Sequence, residues 1–146
     1  MRLRLSDFTP FRLNRLAGAV SEDLSQVYRA RFGLEIPEWR TLVTIAGRSD
    51  VTAQRIVAST RMHKTRVSRA VASMHRRGLI RRAGSPVDAR IQVLLLTAAG
   101  RRLYDALVPL ALEREREILG RMTAAERRGF LEGVARLESA LGLQDE

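Results

Sequence analysis

At 146 residues the chain has the length of one domain, or of one compact two-part unit. A chain of this size buries roughly 68–70% of its unfolded surface and needs no covalent staples. It has no cysteine, which excludes disulfides, cysteine-ligated metals and a thiol redox sensor within these residues. Its formal charge is +10, with 25 arginines and one lysine against 16 acids, and a polyanionic partner is the first expectation. No apolar run reaches the ~18 residues of a membrane span. The opening MRLRLSDFTPFRL lacks an apolar core followed by a small-residue cleavage site, so no signal peptide is read and a cytoplasmic protein is expected.

Residues 1–9 read as a short arm. Thr9 as N-cap and Pro10 in the first helical position open a long helix to about Phe32, with Gly33 as its stop. Leu13, Leu16, Ala17, Val20, Leu24, Val27 and Tyr28 recur along it at three- and four-residue spacing. Pro37 opens a second helix, Glu38 to Ala46, stopped by Gly47, and Ser49-Asp50 is a turn. A short third helix follows and ends near Ser59, with Thr52 as N-cap and Val51 placed to staple against Ile56. A tight connection then leads into a fourth, basic helix, which makes a helix-turn-helix pattern.

The stretch from Arg61 to Arg90 dominates the chain. It holds nine basic residues (Arg61, Lys64, Arg66, Arg69, Arg76, Arg77, Arg81, Arg82 and Arg90) against Asp88 alone, about +8 of the whole charge. Charge concentrated this way marks a nucleic-acid site more than a solvated face. Val67, Ala70, Val71 and Met74 give the helix one apolar face, and Thr65, Arg69, Ala72 and Arg76 fall opposite, flanked by Arg66 and Ser68. Arginine binds guanine O6 and N7 in bidentate fashion and Ser or Thr bonds to bases or phosphate, so this face suits a groove. Gly78 supplies a left-handed stop. Leu79 to Ala83, the turn residues Gly84-Ser85-Pro86, and Ile91 to Leu96 then outline a β-hairpin with Arg90 near its tip.

Thr97 caps a helix from Ala98 to about Gly120 that carries Leu103, Leu107, Leu110, Ile118 and Leu119, with Pro109 inside it as an expected kink. Thr123-Ala-Ala-Glu126 is a capping box for a last helix bearing Phe130, Val134, Leu137 and Leu141. The first and last two helices carry more apolar surface than a small central module can cover. Such stripes usually bury against one another, often across a two-fold axis; in the plainer alternative they complete a monomeric core.

Helix, helix and hairpin together resemble the MarR family of bacterial winged helix-turn-helix transcriptional regulators. The residues that carry the resemblance are Lys64-Thr65-Arg66-Val67-Ser68-Arg69, Gly78-Leu79-Ile80 with Arg82, the wing's Asp88-Ala89-Arg90, and Leu96-Thr97-Ala98-Ala99-Gly100. Pro10-Phe11-Arg12-Leu13 and Pro37-Glu38-Trp39-Arg40 also look like members of this family. The fold class implied is mainly α with a small β-hairpin wing. Residues 1–146 would form a single domain of this type, 37–96 the winged helix-turn-helix, and 10–33 with 98–142 the dimerisation helices.

The resemblance further implies a triangular homodimer on double-stranded DNA, cytoplasmic and nucleoid-associated when bound. Thr65, Arg66, Ser68 and Arg69 would contact bases and nearby phosphates, Lys64 and the Thr52 helix start would hold the backbone, and Arg90 would enter the minor groove oriented by Asp88. The wing departs mildly from the family, with few charges in Gly84-Ser85-Pro86-Val87 and with Ala89 where arginine is common. Members commonly release DNA on binding a small phenolic or anionic aromatic ligand, and Arg12, Arg15, Trp39 and Arg40 would line that pocket. In the plainer alternative Trp39 is core and the arginines lie at the surface or pair with Glu22, Asp23, Glu35 or Glu38.

No catalytic residue, metal site or cofactor is expected. His63 and His75 both lie in the basic helix, far from any obvious carboxylate pair, where single histidines are more often phosphate contacts or helix-end residues than catalysts. No Gly-rich phosphate loop is present. A sequence-blind architectural DNA- or RNA-binding protein is the competing class. Against RNA, the basic stretch contains no Phe, Tyr or Trp to stack bases.

Overall fold

The structure is a computed structural model and describes residues 2–88 and 90–143. Contacts group the chain into two compact units, residues 1–111 and 112–146. A 3-10 turn at Leu5–Asp7 leads into α1 (Thr9–Phe32), α2 (Ile36–Ala46), α3 (Ala53–Thr60) and α4 (Lys64–Arg76). Strands β1 (Ile80–Gly84) and β2 (Gln92–Leu96) follow, then α5 (Ala98–Leu119) and α6 (Ala124–Ala140). The result is the expected mainly helical fold with one antiparallel hairpin.

The caps explain most of the boundaries. Gly33 and Gly78 adopt left-handed backbone, at φ 60° and 68°, and so end α1 and follow α4 where a side chain would be strained. The Thr52 hydroxyl accepts the Arg55 amide at 3.1 Å, and Thr123 and Glu126 form the reciprocal capping box of α6. Two caps differ from expectation. Thr9 does not cap α1: the preceding turn places Phe8 there, the Phe8 carbonyl accepts the Arg12 amide, and Pro10 lies within the first turn, where no donor is needed. The second helix begins at Ile36, before Glu38, because Glu35 and Glu38 build a capping box of their own. α5 runs unbroken through Pro109.

The core of the first unit joins α1, α2, α3, α4 and the hairpin. Tyr28, Leu34, Leu42, Val51, Ile56, Val67, Met74, Ile80 and Leu107 are its best-buried large side chains. Val51 and Ile56 both lie fully inside it, as the staple requires. The wing's base is tied down by hydrogen bonds. The Thr97 amide donates to the Leu79 carbonyl at 3.0 Å, its hydroxyl donates to the Gly78 carbonyl at 2.6 Å, and the Leu94 amide reaches the Val51 carbonyl at 2.7 Å. Gly100 lies so close to the Leu79 backbone that a Cβ built on it would sit 2.0 Å from that carbonyl oxygen.

Two apolar faces have no cover within their own unit. The first half of α1 and the turn before it expose Leu5, Phe8, Phe11, Leu13 and Leu16. In the second unit α6 has no buried residue and exposes Phe130, Leu131 and Leu137. Singly exposed apolar residues are ordinary, whereas contiguous ones at helical spacing mark an interface.

Candidate nucleic-acid interface

The turn between α3 and α4 depends on three residues. Arg61 takes the left-handed conformation at φ 53°, the only non-glycine residue with positive φ among those described, which reverses the chain after one residue. Met62, 7% exposed, then plugs the core. His63 is the N-cap of α4 and accepts the Thr65 amide through Nδ1 at 3.2 Å. This role was not legible in the sequence, because histidine is not among the common capping residues.

α4 divides as its periodicity demands. Val67, Ala70, Val71 and Met74 are buried, while Lys64, Thr65, Arg66, Ser68, Arg69 and Arg76 are exposed. Arg66, Arg69 and Arg76 rim an open groove of about 530 Å³ between α4 and the start of α2, whose α2 side carries Glu35, Pro37 and Glu38 and whose α4 side adds Ala70, Ala72 and Ser73. The candidate base-reading residues therefore share one accessible surface, backed by packed core. Thr52 sits at the start of α3, where its hydroxyl oxygen is engaged in capping. Thr52→Ala is expected to lower stability by about 1 kcal/mol while Thr52→Ser keeps it, as read by urea denaturation.

The hairpin pairs Ile80 with Leu96 and Gly84 with Gln92 at the ends of its ladder. Its tip is held by the Ser85 amide donating to the Ile91 carbonyl at 2.8 Å and by the Ile91 amide donating to the Asp88 carbonyl at 2.9 Å. Asp88 acts on Arg90 through the backbone: its Oδ1 accepts the Arg90 amide at 2.9 Å and shapes the turn that projects the side chain. Ala89 lies outside the described residues. Arg81, Arg82 and Arg90 are exposed.

Arg77 is the exception among the nine bases. Its guanidinium donates to the Gly33 carbonyl at 3.1 Å and to the Phe32 carbonyl at 2.7 Å, at the C-terminal end of α1. Charge counting alone does not separate this residue from the other eight; its partners are carbonyls at the end of a helix more than forty residues away in sequence.

The four residues considered for an effector fall into two pairs. Trp39 stacks on Tyr28 with ring centroids 5.4 Å apart, and Arg40 donates to the Ser21 hydroxyl at 3.3 Å. Arg15 lies 6.0 Å over the Phe11 ring, and Arg12 is exposed on the same half of α1. Arg15 and Arg12 are six and nine residues before Ser21, about 9 and 14 Å along the helix axis. Tyr28 completes the aromatic wall. Burial pushes its phenol up to about 12, partly offset by Arg40 and Arg29, so it is a neutral hydrogen-bonding group at physiological pH. Arg29 pairs with Glu35 and Glu22, each at 2.9 Å, and these hydrogen bonds hold its guanidinium above the ordinary arginine range. Among the described residues no cluster of His, Asp and Glu is arranged to hold a metal ion, and no helix is long and apolar enough to cross a membrane.

Residues 32–91, which run from the end of α1 to just past the wing tip, match the family model described as MarR family. This segment, 60 of the chain's 146 residues, is thus similar to the MarR family. Its relatives and structural neighbours agree. The transcriptional regulator HosA of Escherichia coli O111:H- is 27% identical over 122 residues, which cover 80% of this chain and 90% of that one. The crystal structure of a MarR/EmrR family transcriptional regulator from Acinetobacter sp. ADP1 superposes with a TM-score of 0.84 at 25% identity, over 97% of this chain and 100% of the other. CouR from Rhodococcus jostii RHA1, solved bound to p-coumaroyl-CoA, shares the fold with a TM-score of 0.79 at 20% identity, over 93% and 95% of the two chains.

Proposed function

We propose that this protein is a DNA-binding transcriptional regulator of the MarR family, a homodimeric repressor of a palindromic operator that is released by a small aromatic anion. The observation that carries the reading is the exposed Thr65-Ser68-Arg69 face of a helix whose opposite face is locked into the core, beside a basic hairpin. One α4 per subunit enters the major groove, with Thr65, Arg66, Ser68 and Arg69 at base edges and nearby phosphates. Lys64 and the start of α3 hold the backbone. The Thr52 hydroxyl, which accepts within its own cap, keeps a proton to donate to a phosphate oxygen. Arg90 takes the minor groove from the turn that Asp88 shapes.

The two uncovered apolar faces support the dimer, and a two-fold dimer places the half-sites about one helical turn, roughly 10 bp, apart. The release step is supported by the flank of α1 and α2, where the Tyr28–Trp39 stack stands beside Arg40. An indole wall with a guanidinium suits a planar carboxylate or phenol, and CouR, which shares the fold, was solved bound to p-coumaroyl-CoA.

Fluorescence anisotropy on the protein's own upstream intergenic DNA tests the reading, against a scrambled duplex, through a salt series, with and without aromatic carboxylates and their thioesters. Preference for the native fragment, lost on adding one compound, is the expected result. Equal binding to both duplexes, vanishing together as salt rises, would leave only an architectural role. Arg69→Ala is expected to cost about 1–3 kcal/mol on the native fragment and to relax its specificity if the guanidinium reads a base. Equal weakening on both duplexes would reduce Arg69 to a phosphate contact.

A further inference from the structure

An apolar face alone locates a helix poorly, because dispersion contacts are non-directional and small rolls or slides cost little. α4 has more than its apolar face. The Ser73 hydroxyl donates to Oε1 of Glu38 in α2, a side chain 8% exposed, and Oε2 of the same carboxylate accepts the Glu35 amide at 2.8 Å. One turn further along, Arg77 bridges the Phe32 and Gly33 carbonyls at the negative end of the α1 dipole. Ser73 and Arg77 stand four residues apart, so both ties lie along one edge of α4. The two ties converge on residues 32–38, the elbow between α1 and α2.

We propose that Arg77 and Glu38 are positioning residues: they fix the roll of α4 against the α1–α2 elbow, and Arg77 makes no contact with DNA. The inference rests on α4 being the base-reading helix. It also gives an effector a rigid path to DNA. Trp39 and Arg40 follow Glu38 directly in α2, so a ligand that shifts this end of α2 carries Glu38, and through Ser73 the recognition helix, with it.

The salt dependence of binding separates positioning from phosphate contact. A lysine or arginine on a phosphate contributes about one unit to the slope of log affinity against log salt, and its loss weakens all duplexes alike. Arg77→Gln is expected to lower affinity for the native upstream fragment by about 3- to 10-fold, the equivalent of one net hydrogen bond. The slope and the affinity for a scrambled duplex should stay as in the wild type. Arg77→Lys should restore part of the loss, since an ammonium still reaches the carbonyls at the end of α1. Ser73→Ala should lower the same specificity ratio with every arginine in place, and it decides the question alone if the Arg77 variants fail to fold in a thermal melt.

A slope reduced by about one unit with equal weakening on both duplexes would make Arg77 a phosphate ligand and overturn the inference. Wild-type specificity in both Arg77→Gln and Ser73→Ala would overturn it as well. A wild-type protein with no preference for its native fragment would instead sink the operator reading, and this inference with it.

Discussion

Gly100→Ala is expected to destabilise the protein by about 3 kcal/mol or more, at the upper end of overpacking costs. The methyl would stand 2.0 Å from the Leu79 carbonyl oxygen, which is backbone and has no rotamer to retreat into. That carbonyl also accepts the Thr97 amide, so moving it breaks the hydrogen bond that joins the end of β2 to the start of β1. Either α5 retreats from the hairpin or the wing shifts on α4. For a chain of this length the loss corresponds to a fall in melting temperature of roughly 6–12 °C, read by circular dichroism. DNA affinity should fall further than the melt accounts for at temperatures where the variant is still folded, because the base of the wing has moved. A variant melting within about 2 °C of the wild type would show that the approach of α5 to Leu79 is looser than described.

Leu16→Glu is expected to convert the protein to a monomer and to reduce operator affinity by about 100-fold or more. Leu16 lies on the uncovered half of α1, 50% exposed in the single chain, so the charge costs the isolated subunit little. In a dimer it would have to be desolvated without a partner. Losing the second half-site removes an effective concentration that typically contributes 10²- to 10⁴-fold to avidity, whatever each recognition helix still contributes. Size-exclusion chromatography with light scattering gives the mass, and anisotropy on a full operator against a half-site gives the binding. Leu16→Ala should fall between. A dimeric Leu16→Glu protein would move the interface off this face of α1.

The recognition helix was legible residue by residue. Its four buried positions and its exposed Thr65, Ser68 and Arg69 follow from a 3.6-residue period that a packed core does not alter. The stops at Gly33 and Gly78 were legible for the same kind of reason, since glycine takes positive φ without strain. Two features of the turn before the helix were not. Neither residue type favours its role locally: Arg61 is left-handed and His63 caps α4 on either side of Met62, which is buried in the core. On the flank proposed for an effector, Trp39 and Arg40 stood out as residue types, while Tyr28 and Ser21, which meet them, lie a whole element away in sequence.

What the sequence determined by itself was therefore the order of elements, the resemblance to a family, and the concentration of charge on one helix and one hairpin. Each of these depends on neighbours within a few turns of chain, where spacing and charge act without tertiary context. What only the tertiary structure decided was how individual charges are used. Arg77 and Arg69 are the same residue type eight positions apart in one basic stretch. Arg69 stands at the rim of an open groove, while Arg77 meets the carbonyls that end α1. A guanidinium binds whichever acceptors lie within a few ångströms, and that is set by the packing of distant segments.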